Sequence, residues 1–172
     1  MNKINLKDLE LKTFTEQDAL DYCQINDINP NRTAYLDLGN NKLTDISDLK
    51  IFKNLQYLYL YNNKIKDISM IKYLNNLKWL SLDSNEISDI SVLKSLNNLE
   101  NLYIGNTEIK DISVIKNLKK LELLDIRYLQ LESDQIQYIN SCKNLEILIC
   151  INGFKDMSVL NKLNKNIKIF RI

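Results

Sequence analysis

The chain contains no histidine, which removes the commonest general base, nucleophile partner and metal ligand in one stroke. It has three cysteines, Cys23, Cys142 and Cys150, an odd number without close pairing. A disulfide framework needs an even count, and a zinc site needs tighter spacing or histidines, so these three are expected to be reduced, buried small hydrophobes. Proline occurs once and glycine three times, which leaves little room for loop-rich or phosphate-cradling segments. No apolar run is long enough to cross a bilayer as a helix. Neither sign of charge dominates: 23 Lys and Arg stand against 22 Asp and Glu, for a net +1. That balance argues against a dedicated nucleic-acid binder. The first residues, Met1 to Asp8, lack the apolar stretch of a secretory signal. As given, the chain reads as cytoplasmic, or as secreted or surface-attached where a signal has been trimmed.

What is present is a repeat. Leu55, Leu77, Leu99 and Leu121 recur at a step of 22 residues. The units LQYLYLYNNKIKDISMIKYLNN, LKWLSLDSNEISDISVLKSLNN and LENLYIGNTEIKDISVIKNLKK follow one another, preceded by TAYLDLGNNKLTDISDLKIFKN over residues 33–54. A fifth unit from Leu121 carries two extra residues, and a sixth begins at Leu145. The closing IKIFRI reads as a seventh strand, with Phe170 and Ile172 inward by the regular step.

The pattern resembles the leucine-rich repeat, specifically the 22-residue type of the bacterial internalins and of a class of phosphatase regulators. Its L-x-x-L-x-L-x-x-N-x-I run is met by Leu55, Leu58, Leu60, Asn63 and Ile65, followed by Asp67-Ile68-Ser69. The resemblance covers residues 33–172 and implies an α/β fold class. The expected architecture is a leucine-rich-repeat solenoid with a curved parallel β-sheet on its concave face and short helical turns on its convex face.

Each position has a physical reason. Alternation around Leu58 and Leu60 is the period of a short strand with leucines pointing inward. Seven such strands, roughly 4.8 Å apart, would span about 30 Å. Asn41, Asn63 and Asn85 sit where the chain leaves the strand, and a buried amide there can satisfy stranded loop backbone groups. That column continues as Thr107, Leu129 and Gly153, so the ladder ends halfway. Ser47, Ser69, Ser91 and Ser113 are placed to cap helical turns. Ile46, Ile68, Ile90 and Ile112 should close the core from behind. Extra residues around Ser133–Ile136 fit a longer convex helix.

No repeat buries its apolar face alone, so the ends need lids. Residues 1–32 read as an N-terminal cap, as in the internalins, and residues 33–172 as the solenoid. Thr15-Glu16-Gln17-Asp18 is a capping sequence, with Ala19, Leu20, Tyr22 and Cys23 as the apolar face of a helix to about Gln24. Pro30 breaks the chain before the first regular strand.

In this family the outward strand positions form the concave binding surface. Register places Tyr35, Tyr57, Tyr59, Tyr61, Trp79 and Tyr103 there, with Asp83 and Arg127 in the adjoining column. Tyrosines suit strands and stack along sheets for well under about 1 kcal/mol per pair, the bland reading. Trp and Tyr are also the usual anchors of protein interfaces, the functional one. Toward the C-terminus the same register exposes Leu123, Ile147, Ile149, Ile151 and Ile169. Such a patch points to a partner, to self-association, or to a register change in the irregular fifth and sixth repeats. Glu100, Glu122 and Glu146 form a row that would steer a basic partner, and Lys50, Lys72, Lys94 and Lys116 are read as solubilising. The sequence shows no nucleophile elbow, no metal-ligand cluster and no cofactor motif. The expected function is a non-catalytic scaffold, without cofactor or metal, that binds another protein rather than nucleic acid or membrane. The alternative is an assembly protein that forms a homodimer through its C-terminal aliphatic surface.

Overall fold

The computed structural model describes residues 2–171. Among them, eight strands form one parallel sheet in chain order: β1 (Asn2–Asn5), β2 (Thr33–Asp37), β3 (Tyr57–Tyr59), β4 (Trp79–Ser81), β5 (Asn101–Tyr103), β6 (Leu123–Asp125), β7 (Ile147–Ile149) and β8 (Lys168–Phe170). From β2 to β5 the register repeats at the 22-residue step, so Leu36, Leu58, Leu80 and Leu102 stand side by side. These leucines are fully buried, as are Leu38, Leu60, Leu82 and Ile104 two residues on. The core is therefore a single apolar column running the length of the solenoid.

The asparagine ladder stitches one repeat to the next. Asn63 Nδ2 donates to Leu60 O in its own turn and to Leu38 O of the preceding one, both at 3.0 Å. Its Oδ1 accepts from Leu43 N at 2.9 Å. Asn85 repeats the arrangement with Leu82 O, Leu60 O and Ile65 N. Thr107 keeps only the bond to its own Ile104 O. The residue just before each ladder position adopts the left-handed region, at Asn40, Asn62, Ser84, Asn106 and Asn152. Tyr128 holds the same conformation at φ 63, where a bulky side chain is strained.

On the convex side, 3-10 turns run over Ser47–Ile51, Ser69–Tyr73, Ser91–Ser95 and Ser113–Asn117. Ile46, Ile68, Ile90 and Ile112 are buried behind the sheet as expected. The capping differs from expectation. No serine side chain caps its turn; instead Asp45, Asp67, Asp89 and Asp111 each accept the N–H of the serine two residues on, at 2.7–2.8 Å. A carboxylate reaches that N–H from outside the turn, whereas the serine already lies within it. The longer fifth repeat carries a short α-helix on this side, α2 (Ile136–Ser141).

The N-terminal segment holds α1 (Glu16–Ile25) with the expected capping box: Thr15 Oγ1 accepts from Asp18 N, and Asp18 Oδ2 accepts from Thr15 N at 2.8 Å. Ala19 and Cys23 are buried and Tyr22 is half-buried, but Leu20 points into solvent rather than into the apolar face. The segment is more than a helical lid, because β1 adds a strand ahead of the repeats. Ile4 and Leu6 occupy the inward positions, and Asn41 bonds Leu6 O and Leu11 N as if they belonged to a preceding repeat.

The last strand corrects the expected register. Ile147 pairs with Lys168, Leu148 with Ile169 and Ile149 with Phe170, one residue short of the regular step. In regular repeats two successive residues, such as Lys78 and Trp79, both donate to one carbonyl, that of Gln56. Ahead of β8 a single residue, Lys168, takes this role against Glu146 O. One lost residue turns a strand over. Ile169 therefore faces the core and not the concave surface, while Phe170 faces outward at 39% exposure instead of inward. Arg171 likewise leaves the column of Ile149, and Ile172 lies outside the described residues.

Candidate interaction surface

The concave face is built by the outward positions of β2 to β7, whose side chains project because their neighbours are inward leucines. Tyr35, Tyr57, Tyr59, Tyr61, Trp79 and Tyr103 are all there and all half-buried. Ring centroids lie 5.2 Å apart for Tyr35 and Tyr59, 5.9 Å for Tyr59 and Trp79, and 4.9 Å for Trp79 and Tyr103. The contacts thus run diagonally, switching column at each strand, with Tyr57 beside the start of the run at 6.4 Å from Tyr35. Bulk alternates with small side chains: Asp37 and Ser81 flank Tyr59 on either side, and Asn101 stands next to Trp79. Each ring leans into the space left by a small neighbour, so straight stacking along one column gives way to an interlocked zigzag. Burial among these rings pushes the Tyr59 hydroxyl up to about 12 and raises that of Tyr103.

Tyr61 stands apart because Gly39 makes room for it. A Cβ on Gly39 would come within 2.4 Å of the Tyr61 ring. Tyr61 therefore leans toward the N-terminus, where Lys7 Nζ sits 5.8 Å from its centroid and Lys3 Nζ 5.4 Å from that of Tyr35. A hydrogen bond to the Tyr61 hydroxyl raises the Lys7 ammonium. Both lysines come from β1 and its exit. Sequence reasoning missed them, although the alternation of Asn2-Lys3-Ile4-Asn5-Leu6 matches that of the later strands.

Carboxylates lie on the floor between the rings. Asp37 Oδ1 accepts from Gly39 N at 2.9 Å. Asp125 is fully buried and paired with Arg127, whose Nε donates at 2.8 and 3.0 Å and whose Nη2 lies 2.6 Å away. Gly105 leaves the gap that Arg127 leans across. Asp83 is different. Its Oδ2 accepts from the Ser81 hydroxyl at 2.8 Å, but Oδ1 is buried without any partner among the described residues. Burial pushes this carboxyl up to about 6. Trp79 Nε1, in the same repeat, is likewise buried without an acceptor among the described residues. A small cleft of about 150 Å³ opens beside Asp83, Gly105, Arg127 and Tyr128.

The C-terminal part of the face carries Leu123, Ile147, Ile149 and Ile151, all outward and half-buried, with Lys168 in the place expected for Ile169 beside Ile147 and Phe170 in that of Arg171 beside Ile149. The three cysteines are free and buried, and burial raises the thiols of Cys142 and Cys150 to about 11. Among the described residues no group of His, Cys, Asp and Glu is gathered as a metal site would need, and no helix is long and apolar enough to cross a membrane.

The family described as "Leucine Rich repeats (2 copies)" matches at residues 35–73 and 75–117. This chain is built from leucine-rich repeats. Among solved structures, the repeat protein is similar to the internalin inlF of Listeria monocytogenes, at 33% identity and a TM-score of 0.72 over 81% of this chain and 41% of that one. It is similar also to the internalin C2 of the same organism, at 30% identity and a TM-score of 0.70, covering 81% of this chain and 61% of that one. A leucine-rich-repeat protein of Leptospira interrogans shares the fold at 24% identity and a TM-score of 0.64, over 97% of this chain and 53% of that one. The repeat protein thus spans less than two thirds of the length of each of these structures. No curated protein matches the sequence. Leucine-rich-repeat folds are in general scaffolds for protein–protein interaction.

Proposed function

We propose that this protein is a non-catalytic scaffold that binds a partner protein on its concave face. The observation that carries the reading is the run Tyr35–Tyr59–Trp79–Tyr103, half-buried rings in mutual contact on a face that the core does not need. Interlocked rings are pre-ordered, so little side-chain entropy is lost when a partner covers them. Tyr57 and Tyr61 extend the run, and Asp83 and Arg127 border it with polar groups. Two of its polar atoms, Trp79 Nε1 and Asp83 Oδ1, are short of a hydrogen bond in the free protein. A partner that reorders either side chain gains a bond at a site already desolvated.

The test is capture of a partner from lysate with wild type as bait beside the double variant Tyr59→Ala, Trp79→Ala, both shown to be folded by circular dichroism. Truncating two interface anchors should weaken retention by at least about tenfold. Equal retention by both baits would move the site off the aromatic run. A second reading, self-association, is favoured by the exposure of Phe170 next to Ile149 in the C-terminal apolar region. Sedimentation velocity over a concentration series decides it, since a strict monomer rules it out.

A further inference from the structure

The convex flank carries a feature that the concave-face reading does not use. Lys50, Lys72, Lys94 and Lys116 recur in successive 3-10 turns, and Lys53, Lys119 and Lys143 lie on the loops that follow. All are exposed. Among the described residues, Lys53, Lys72, Lys116, Lys119 and Lys143 make no ion pair, and Lys50 has only a long contact of 3.9 Å to Asp48. Some lysines elsewhere are matched, Lys42 with Glu10, Lys66 with Glu86 and Lys78 with Glu100, at 3.1–3.3 Å. Exposed ammonium groups without a close ion-pair partner thus recur along this flank.

Two depressions lie along this stripe. The larger, about 940 Å³, is lined by Lys50, Lys53 and Lys72, with Met70 and Tyr73 as its apolar part. The smaller, about 260 Å³, is lined by Lys116, Lys119 and Lys143, with Leu118 and Cys142. No carboxylate lines either one. Tyr73 is 56% exposed, and the equivalent residues of the next two turns are Ser95 and Asn117, so the apolar anchor belongs to this depression alone. The loop amides at the rim are already committed: Asn54 Nδ2 donates to Asn31 O at 2.7 Å, and Asn76 Nδ2 to Lys53 O at 3.2 Å. The charged donors left for a ligand are the ammonium groups, beside the hydroxyls of Ser47 and Ser69.

We propose that this flank is a second docking surface, which takes an extended acidic peptide segment of a partner with one apolar side chain seated against Met70 and Tyr73. Charge complementarity selects the occupant, because lysines without counter-charges gain most from carboxylates brought to them. The stripe is narrow. Asp45, Asp67, Asp89 and Asp111 run beside it, five residues ahead of the lysines, and would repel a broad polyanion such as a nucleic-acid duplex. A single peptide strand fits between the rows. Its alternating side chains can direct carboxylates to the lysines and an apolar group into the depression.

The probe is a fluorescein-labelled dodecapeptide of alternating Glu and Leu, read by fluorescence anisotropy on the full chain. Wild type should bind it with an affinity that falls as salt is raised. Lys50→Glu with Lys72→Glu, both at exposed positions, should weaken binding by at least about tenfold, and Tyr73→Ala by several-fold. Trp79→Ala on the concave face should leave it unchanged, which separates this surface from the proposed concave site. Absence of binding overturns the proposal, as does equal binding by the double variant. So do equal binding of a peptide with Ser in place of Leu, which would make the contact charge alone, and tighter binding of a single-stranded oligonucleotide.

Discussion

Asp83 is the carboxyl group whose surroundings fit its charge least. It is held at about 6 by burial against an ordinary value of 3.8, with the Ser81 hydroxyl, the Arg127 charge and a backbone N–H pulling it back only in part. Because the folded value lies above the unfolded one, the native state holds the extra proton between them. The contribution of Asp83 to stability is therefore full below about 4, falls as pH rises toward about 6, and is level above. The loss amounts to roughly 1–3 kcal/mol. Asp83→Asn removes the charge, so urea unfolding near neutral pH should show the variant more stable by about that amount, with the slope across the acid window gone. A wild-type stability that climbs through this window would refute the burial argument. The identity of such residues was legible in the sequence, since the regular step alone places Asp83, Trp79 and the tyrosines on one face. Their partners were not. The diagonal ring contacts depend on where Asp37, Ser81 and Asn101 leave space, and Lys3 and Lys7 arrive from a strand with no repeat signature.

At the scale of elements, the convex turns test how the D-I-S triplet works. Asp67 Oδ1 accepts Ser69 N at 2.7 Å, while the Ser69 hydroxyl makes no hydrogen bond among the described residues. The equivalent bond from Ser91 holds Asp89 below the usual carboxylate range. Asp67→Ala should cost about 1 kcal/mol in chemical denaturation, and Ser69→Ala less than about 0.5 kcal/mol. The reverse order would restore the serine as the cap. Spacing revealed that a cap was needed there but not which residue supplied it, because either side chain can reach a free N–H. Helix α1 was readable from its capping box, whereas β1 was hidden by its polar outward residues. The turned-over β8 was hidden differently: counting by the regular step passes over a single missing residue, although I-x-I in place of L-x-x-L marks it.

Across the whole molecule, the sheet order follows the chain order, and every described strand pairs only with its neighbours in sequence. Cohesion is thus between adjacent repeats, and no contact depends on how many there are. Excising residues 55–76 brings Asn85 to Leu38 O in place of Leu60 O, and Tyr35 beside Trp79 instead of Tyr57. Such a chain should fold with the same circular dichroism shape and a lower melting temperature. Excising one residue fewer should also leave a folded chain, with a further fall in melting temperature, because the convex loops already absorb the longer step from Leu124 to Leu148 and the shorter one from Leu148 to Ile169 with both residues kept inward. The ladder bonds between equivalent positions therefore make the number of repeats a heritable variable. Unequal recombination between the near-identical units lengthens or shortens the reach of the protein in whole steps, and each product keeps its inner and outer sides where its ancestor had them.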